Sequence, residues 1–328
     1  KPVFEGCTSL SNINIGENVT KIPNYAFAKS GLTSVTIPSW ITNVGNSAFA
    51  YCSNLTTINF NSANCTMGSV PIFEGCSALS NINIAENVTN IPAYAFAKSG
   101  ISSISLPNWI TNIGNSAFFN CTGISGLLSI PNSVEAIGES AFSGCSGIDS
   151  LYIGSSVETI GNNAFVNCPV SYLHYNARNC TSQLNNNSNS PFNPFRSTLQ
   201  TLVLGENIES LPDYAFYDYD VLSSLSLPNS LVLIGSNAFA DCDNLLSLDT
   251  RNVVSVGDFA FANCDRLVQV NIGDSARSIG NGAFEGCFRM SSANIGKSVQ
   301  TIGNNAFCGC IRLVSPTLPE TLTSIGTS

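Results

Sequence analysis

One word is written eight times in this chain: GNSAFAYC (45–52), GNSAFFNC (114–121), GESAFSGC (138–145), GNNAFVNC (161–168), GSNAFADC (235–242), GDFAFANC (257–264), GNGAFEGC (280–287) and GNNAFCGC (303–310). A catalytic group is needed once, so a small-residue turn, an aromatic and a cysteine repeated this often read as architecture. Aligning the phenylalanines at 4, 27, 49, 73, 96, 118, 142, 165, 195, 216, 239, 261, 284 and 307 gives intervals of 22 to 24 residues, apart from one of 30 and one of 21. A period in this range marks a solenoid, whose coils stack because none can bury its apolar face alone.

A representative coil runs LTSVTIPSWITNVGNSAFAYC, Leu32 to Cys52. Val35 and Ile37 alternate with Ser34 and Thr36, the period-two signature of a half-buried strand. Pro38 ends that strand by removing a donor. Ile41 and Val44 form a second, shorter apolar group before Gly45. The Asn-Ser-Ala-Phe stretch that follows reads as a capped single helical turn delivering Phe49 inward. Parallel strands at about 4.8 Å spread fourteen such coils over roughly 65 Å. Burying one Phe contributes about 1.5–3 kcal/mol, which makes the aromatic row the expected spine. A longer copy is also visible: VFEGCTSLSNINIGENVTKIPNYAFAKSG from Val3 returns as IFEGCSALSNINIAENVTNIPAYAFAKSG from Ile72, a three-coil duplication.

Charge narrows the function. With 12 basic residues, a net charge of −9 and a pI near 4.5, the chain lacks the clustered Lys and Arg that nucleic-acid phosphates require. No run of 18 apolar residues spans a membrane. The chain opens at Lys1 and closes on LTSIGTS in mid-pattern, so it reads as a segment of a longer protein whose targeting signals lie outside it. Residues 1–328 are expected to form a single solenoid, with irregular coils and inserted loops at 61–72 and 176–195.

The pattern I-P-x-S-V-x-x-I-G-x-x-A-F-x-x-C, clearest in IPNSVEAIGESAFSGC (130–145), resembles the BspA-like, or treponemal-type, bacterial surface leucine-rich repeat proteins, and the resemblance covers essentially the whole chain. It implies an α/β leucine-rich-repeat solenoid: a right-handed coil with parallel strands on the concave face, short helical turns and about 14 coils of 22–24 residues. It also implies a cell-surface or secreted protein with an adhesive role, binding host matrix proteins such as fibronectin or fibrinogen, or other cells. No catalytic residue set and no cofactor come with it.

Ten of the thirteen cysteines stand three residues after a ladder phenylalanine. Eight belong to the repeated word: Cys52, Cys121, Cys145, Cys168, Cys242, Cys264, Cys287 and Cys310, after Phe49, Phe118, Phe142, Phe165, Phe239, Phe261, Phe284 and Phe307. Cys7 and Cys76 are the other two. Ser30, Ser99, Thr198 and Tyr219 fill the slot elsewhere, which a disulfide framework would not accept, and equivalent Cβ atoms on stacked coils point the same way. Small buried thiols donating weakly to backbone carbonyls satisfy both facts. A zinc site needs convergent ligands, and a row presents them in a line with a lone His174. Cys65, Cys180 and Cys308 fall outside the row; a buried turn thiol is the plain reading, and an exposed redox thiol the alternative.

Binding on a solenoid usually uses outward strand positions. Here these are mostly small and polar, among them Asn59, Asn83, Asp249, Asn271 and Asn294. Tyr152 and His174 differ; they fall in consecutive coils, with Tyr172 one strand step from His174. This cluster either stacks against a sugar or partner side chain, or records drift in a duplicated array. Trp40 and Trp109 are expected to face outward at a corner where other coils carry serine, and either anchor a partner or are inherited packing. Seven N-x-S/T sequons, including Asn179 and Asn186, are what chance gives in so Asn-, Ser- and Thr-rich a chain.

Two roles stand against each other: a monomeric, non-catalytic segment engaging an extracellular matrix or cell-surface protein or a glycan through the concave face, and a rigid spacer presenting other domains. An enzyme is disfavoured, since one His and 21 dispersed acids offer no convergent set.

Overall fold

The computed structural model describes residues 2–178, 180 and 190–327. They fall into two compact units, one led by Lys1–Pro169 and the other by Val170–Arg178 with the described residues from 190 onward.

Most coils of the first unit contribute strands to two rows. The longer strands include Ser34–Ile37, Thr57–Phe60 and Asn81–Ile84, and further along Ser125–Ile130 and Gly147–Ile153. All pair in parallel, Val35 facing Ile58 and Ile58 facing Ile82. Val35 and Ile37 are buried and Thr36 is exposed, as the alternation requires. A second row consists of two-residue strands, among them Asn43–Val44 paired with Thr66–Met67 and Ala136–Ile137 paired with Thr159–Ile160. Its apolar member, such as Val44 or Ile137, points into the core. The second unit repeats the plan with Thr201–Leu204, Ser247–Asp249 and Gln269–Asn271 in its long rows and Leu233–Ile234, Ser255–Val256 and Ser278–Ile279 in its short one.

Phenylalanine rings stack through the core of each unit. From Phe4 to Phe165 successive centroids lie between 5.2 and 6.1 Å apart, and from Phe216 to Phe307 between 5.3 and 5.6 Å. Stacking follows from the parallel register, which places identical side chains directly above one another.

The helical component of the expected α/β class is absent among the described residues. The single helical element is the 3-10 turn Asn193–Phe195, and the architecture is a parallel-strand β-solenoid of about 13 turns. Fourteen ladder phenylalanines bound thirteen intervals, which accounts for the lower count. In GNSAFAYC, alternate N–H groups go to different places. Those of Ala48, Ala50 and Cys52 close three-residue turns onto Gly45, Ser47 and Phe49, while those of Phe49 and Tyr51 cross to the carbonyls of Ile72 and Glu74 in the next coil. An α-helix directs every N–H back four residues, so it cannot share donors in this way. Left-handed backbone at Ser47 and Tyr51, with φ of 52° and 60°, breaks the run further.

The recurrent Asn after the glycine does not cap its own turn either. Asn281 accepts at its side-chain oxygen the backbone N–H of Asn304, 2.8 Å away in the next coil, and Asn304 does the same for Thr327 at 2.7 Å. Beside this row, a Cβ on Gly45 would meet the backbone nitrogen of Asn24 at 2.5 Å, so the repeated glycine permits close coil contact.

Residues 61–72 hold the strand Thr66–Met67 in the same register as its neighbours, Asn43 facing Thr66. Of the insert expected at 176–195, residue 179 and residues 181–189 lie outside the described residues, as do Asn179 and Asn186.

Candidate functional site

The cysteine slot is defined by one repeated bond. The thiols of Cys52, Cys121, Cys145, Cys168, Cys242, Cys264, Cys287 and Cys310 each donate to the carbonyl oxygen of the ladder phenylalanine one coil earlier, at 3.0–3.3 Å. Cys76 does so to Phe49 at 3.1 Å. Where the slot holds another residue, its donor finds a different carbonyl: Ser99 donates to Phe96 of its own coil at 2.7 Å, and Tyr219 to Phe192, outside the ladder, at 2.9 Å. All thirteen cysteines are free thiols. Burial pushes Cys121 up to about 11 and Cys168 and Cys310 up to about 12, which suppresses the thiolate and its chemistry. Outside the row, Cys65 is buried and raised to about 11, and Cys308 is exposed.

The outward strand positions carry the features suited to recognition. In the first unit Tyr152 is half-buried and its hydroxyl donates to the side-chain oxygen of Asn132 at 3.3 Å. In the second unit Tyr172 is 37% exposed, with His174 half-buried two residues on along the same strand. His174 faces Val203 in register, and burial lowers its pKa, which favours the neutral imidazole. The division of the chain puts Tyr152 in one unit and Tyr172 with His174 in the other.

Trp40 and Trp109 are half-buried at their corners rather than turned fully outward. Each indole N–H bonds to a carbonyl of the preceding coil, Trp40 to Gly16 at 3.2 Å and Trp109 to Ala85 at 3.1 Å. The serines that replace them elsewhere also reach back one coil, Ser133 to Ile110 and Ser230 to Ile208. Both tryptophans thus close a coil-to-coil bond.

Sequence reading picked out the outward asparagines singly and missed that they join. Asn83 donates to Asn59 at 2.7 Å and Asn59 to Thr36 at 3.2 Å. In the second unit Asn294 donates to Asn271 at 2.7 Å and Asn271 to the Asp249 carboxylate at 3.0 Å. Recurrence of Asn at one register position was the available signal. Among the described residues no group of three or more His, Cys, Asp or Glu is placed to hold a metal ion, and no helix is long and apolar enough to cross a membrane.

Parallel coils of this length, inward aliphatics and an outward polar strand row define a leucine-rich-repeat solenoid. The chain matches the BspA type leucine rich repeat region, a unit of six copies, over residues 1–125, 66–190, 126–246 and 246–328, and it belongs to this family. A leucine-rich repeat protein from Bacteroides ovatus is 27% identical with a TM-score of 0.58, the match covering 94% of this chain and 78% of that one. A leucine rich cell surface protein from Faecalibacterium prausnitzii is 22% identical over 94% of this chain and 83% of its own, with a TM-score of 0.36. No curated protein matches the chain.

Proposed function

We propose that the chain is a non-catalytic binding segment of a cell-surface or secreted protein. It engages an extracellular matrix protein, a protein on another cell or a glycan through its outward strand face, taken as concave, with residues 1–328 serving as one repeat segment and acting as a monomer. Membership of the BspA-type family fits a binding or structural role. The observation that carries the binding reading is the strand Tyr172–Tyr175, where Tyr172 is exposed on the face that elsewhere holds small polar residues. Core packing does not require an aromatic there, whereas a partner gains from one. Tyr152, His174, Trp40 and Trp109 are the other proposed contact residues.

The rigid spacer is the second reading, favoured by the near-identity of the coils from Val3 and Ile72 and by the unbroken ring stack from Phe4 to Phe165. One experiment separates the two. The purified chain is titrated on immobilised fibronectin, fibrinogen and a glycan panel beside a Tyr152→Ala/Tyr172→Ala/His174→Ala variant. Saturable binding lost in the variant supports adhesion, and no binding to any surface supports the spacer.

A further inference from the structure

One coil of the second unit departs from the rest at its corner. After the strand Ser247–Asp249 comes Thr250-Arg251-Asn252, where the preceding coil has Leu227-Pro228-Asn229-Ser230. A threonine replaces the usual aliphatic, an arginine replaces proline, and the corner is one residue shorter, since Leu233 pairs with Ser255 at a spacing of 22 residues. Thr250 is fully buried and fills less space than the leucine or isoleucine of other coils.

A cleft of about 260 Å³ opens at this point, bordered by Leu225, Leu227, Asn229, Asp249, Arg251 and Asn252. Leu225 and Leu227 are only half-buried, in contrast to Val35 and Ile37 at the corresponding places of an ordinary coil. The exposed lining of the cleft is mainly polar, and its polar groups bond to one another. The Asp249 carboxylate accepts from Arg251 Nε at 2.6 Å and from Asn271 at 3.0 Å. Asn252 donates to both the backbone and side-chain oxygens of Asn229 at 3.1 Å.

From this arrangement we infer that the cleft between the coils of Phe239 and Phe261 binds one ring of a neutral saccharide. Asp249 and Arg251 offset each other's charge, so the site has no net charge with which to hold an ion. The guanidinium retains its terminal N–H donors and the carboxylate retains free lone pairs, side by side with amide donors and acceptors. Neighbouring sugar hydroxyls each require a donor and an acceptor together, which this mainly polar lining supplies. Pockets that hold drug-sized ligands measure about 300–1,000 Å³, so a cleft below that range suits a single small ring. Fixing the polar groups before binding lowers the ordering cost.

This inference rests on the reading of the chain as a binding segment and names one ligand class for it. The test is titration of the full chain with neutral mono- and disaccharides, followed by saturation-transfer NMR and calorimetry, beside Asp249→Ala, Arg251→Ala and, as control, Lys297→Ala in an exposed ion pair elsewhere. Binding of at least one sugar is expected, weakened tenfold or more by either cleft substitution, unchanged by the control, with melting temperatures preserved. Sugar binding indifferent to both cleft substitutions overturns the inference. So does a chain that holds a matrix protein but no neutral sugar, or that prefers uronates or acidic peptides, and in those cases the broader binding reading survives. A chain that binds nothing at all overturns both.

Discussion

The thiol of Cys145 donates to the carbonyl oxygen of Phe118, 3.2 Å away in the preceding coil. The same slot in another coil holds Ser99, whose hydroxyl also donates to a ladder carbonyl. Cysteine, serine, threonine and tyrosine all occupy the slot, so it selects for a side chain with a donor, and sulfur chemistry is incidental. Cys145→Ser should fold and melt close to wild type, with a cost of about 0.5–1.5 kcal/mol, whereas Cys145→Leu overpacks the core by about 1–3 kcal/mol. Chemical denaturation of both variants checks this; equal losses would refute the donor role.

Phe142 is fully buried between Phe118, at 5.2 Å, and Phe165, at 5.8 Å. Phe142→Ala removes a ring that two neighbours contact, and the gap can close only if the backbone of three coils shifts. A loss of about 3–5 kcal/mol is expected. A variant melting within a degree of wild type would show that the ring stack is not the spine.

Buried thiols also give the fold an alkaline limit. Burial raises Cys121 to about 11 and Cys168 to about 12, from 9.0 when unfolded. The native state thus holds its protons at pH values where the unfolded chain has released them. Stability is fully present below pH 9 and is lost as the pH climbs from 9 towards 12. Melting temperature should be level between pH 7 and 8.5 and fall steeply above 9.5; a flat profile to pH 11 would contradict the burial of these groups.

Accessibility sorts the same residues by rate. Cys7 and Cys308 are exposed, while Cys121, Cys145, Cys168, Cys242, Cys264 and Cys287 are buried. Native alkylation followed by mass spectrometry should label Cys7 and Cys308 within minutes and leave these six unmodified until denaturant is added. Rapid labelling of Cys145 in the folded protein would be incompatible with its bond to Phe118.

What the sequence made legible was whatever repeats. Phenylalanine spacing, the alternation of Val35 and Ile37, and the slot shared by Cys52 and Ser30 all recur at one period, and all reappear in the coils. The helical turn was misread because three-residue turns and an α-helical turn place Ala48 and Cys52 at similar spacing. The distinguishing sign is a left-handed residue on either side of Phe49, which the sequence shows only as Ser and Tyr. The cleft beside Asp249 was hidden for the opposite reason: it arises from a single missing corner residue and one Thr for an aliphatic, a departure visible only once the neighbouring coils supply its walls. Separation of Tyr152 from Tyr172 and His174 into different units was also beyond reach, because consecutive coils look alike on paper.

Register in the second unit advances one coil at a time: Ser255 faces Ser278, and Ser278 faces Thr301, each a step of 23 residues. Hydrogen bonds between such coils lie along the direction of stacking, so tension applied there meets one coil's worth of bonds before the next is loaded. Each coil released adds about 76–83 Å of extended chain at ~3.3–3.6 Å per residue. Single-molecule pulling should record a sawtooth with that increment. Under a tug the unit behaves as a shock absorber, yielding in equal measured lengths while the coils behind it stay wound.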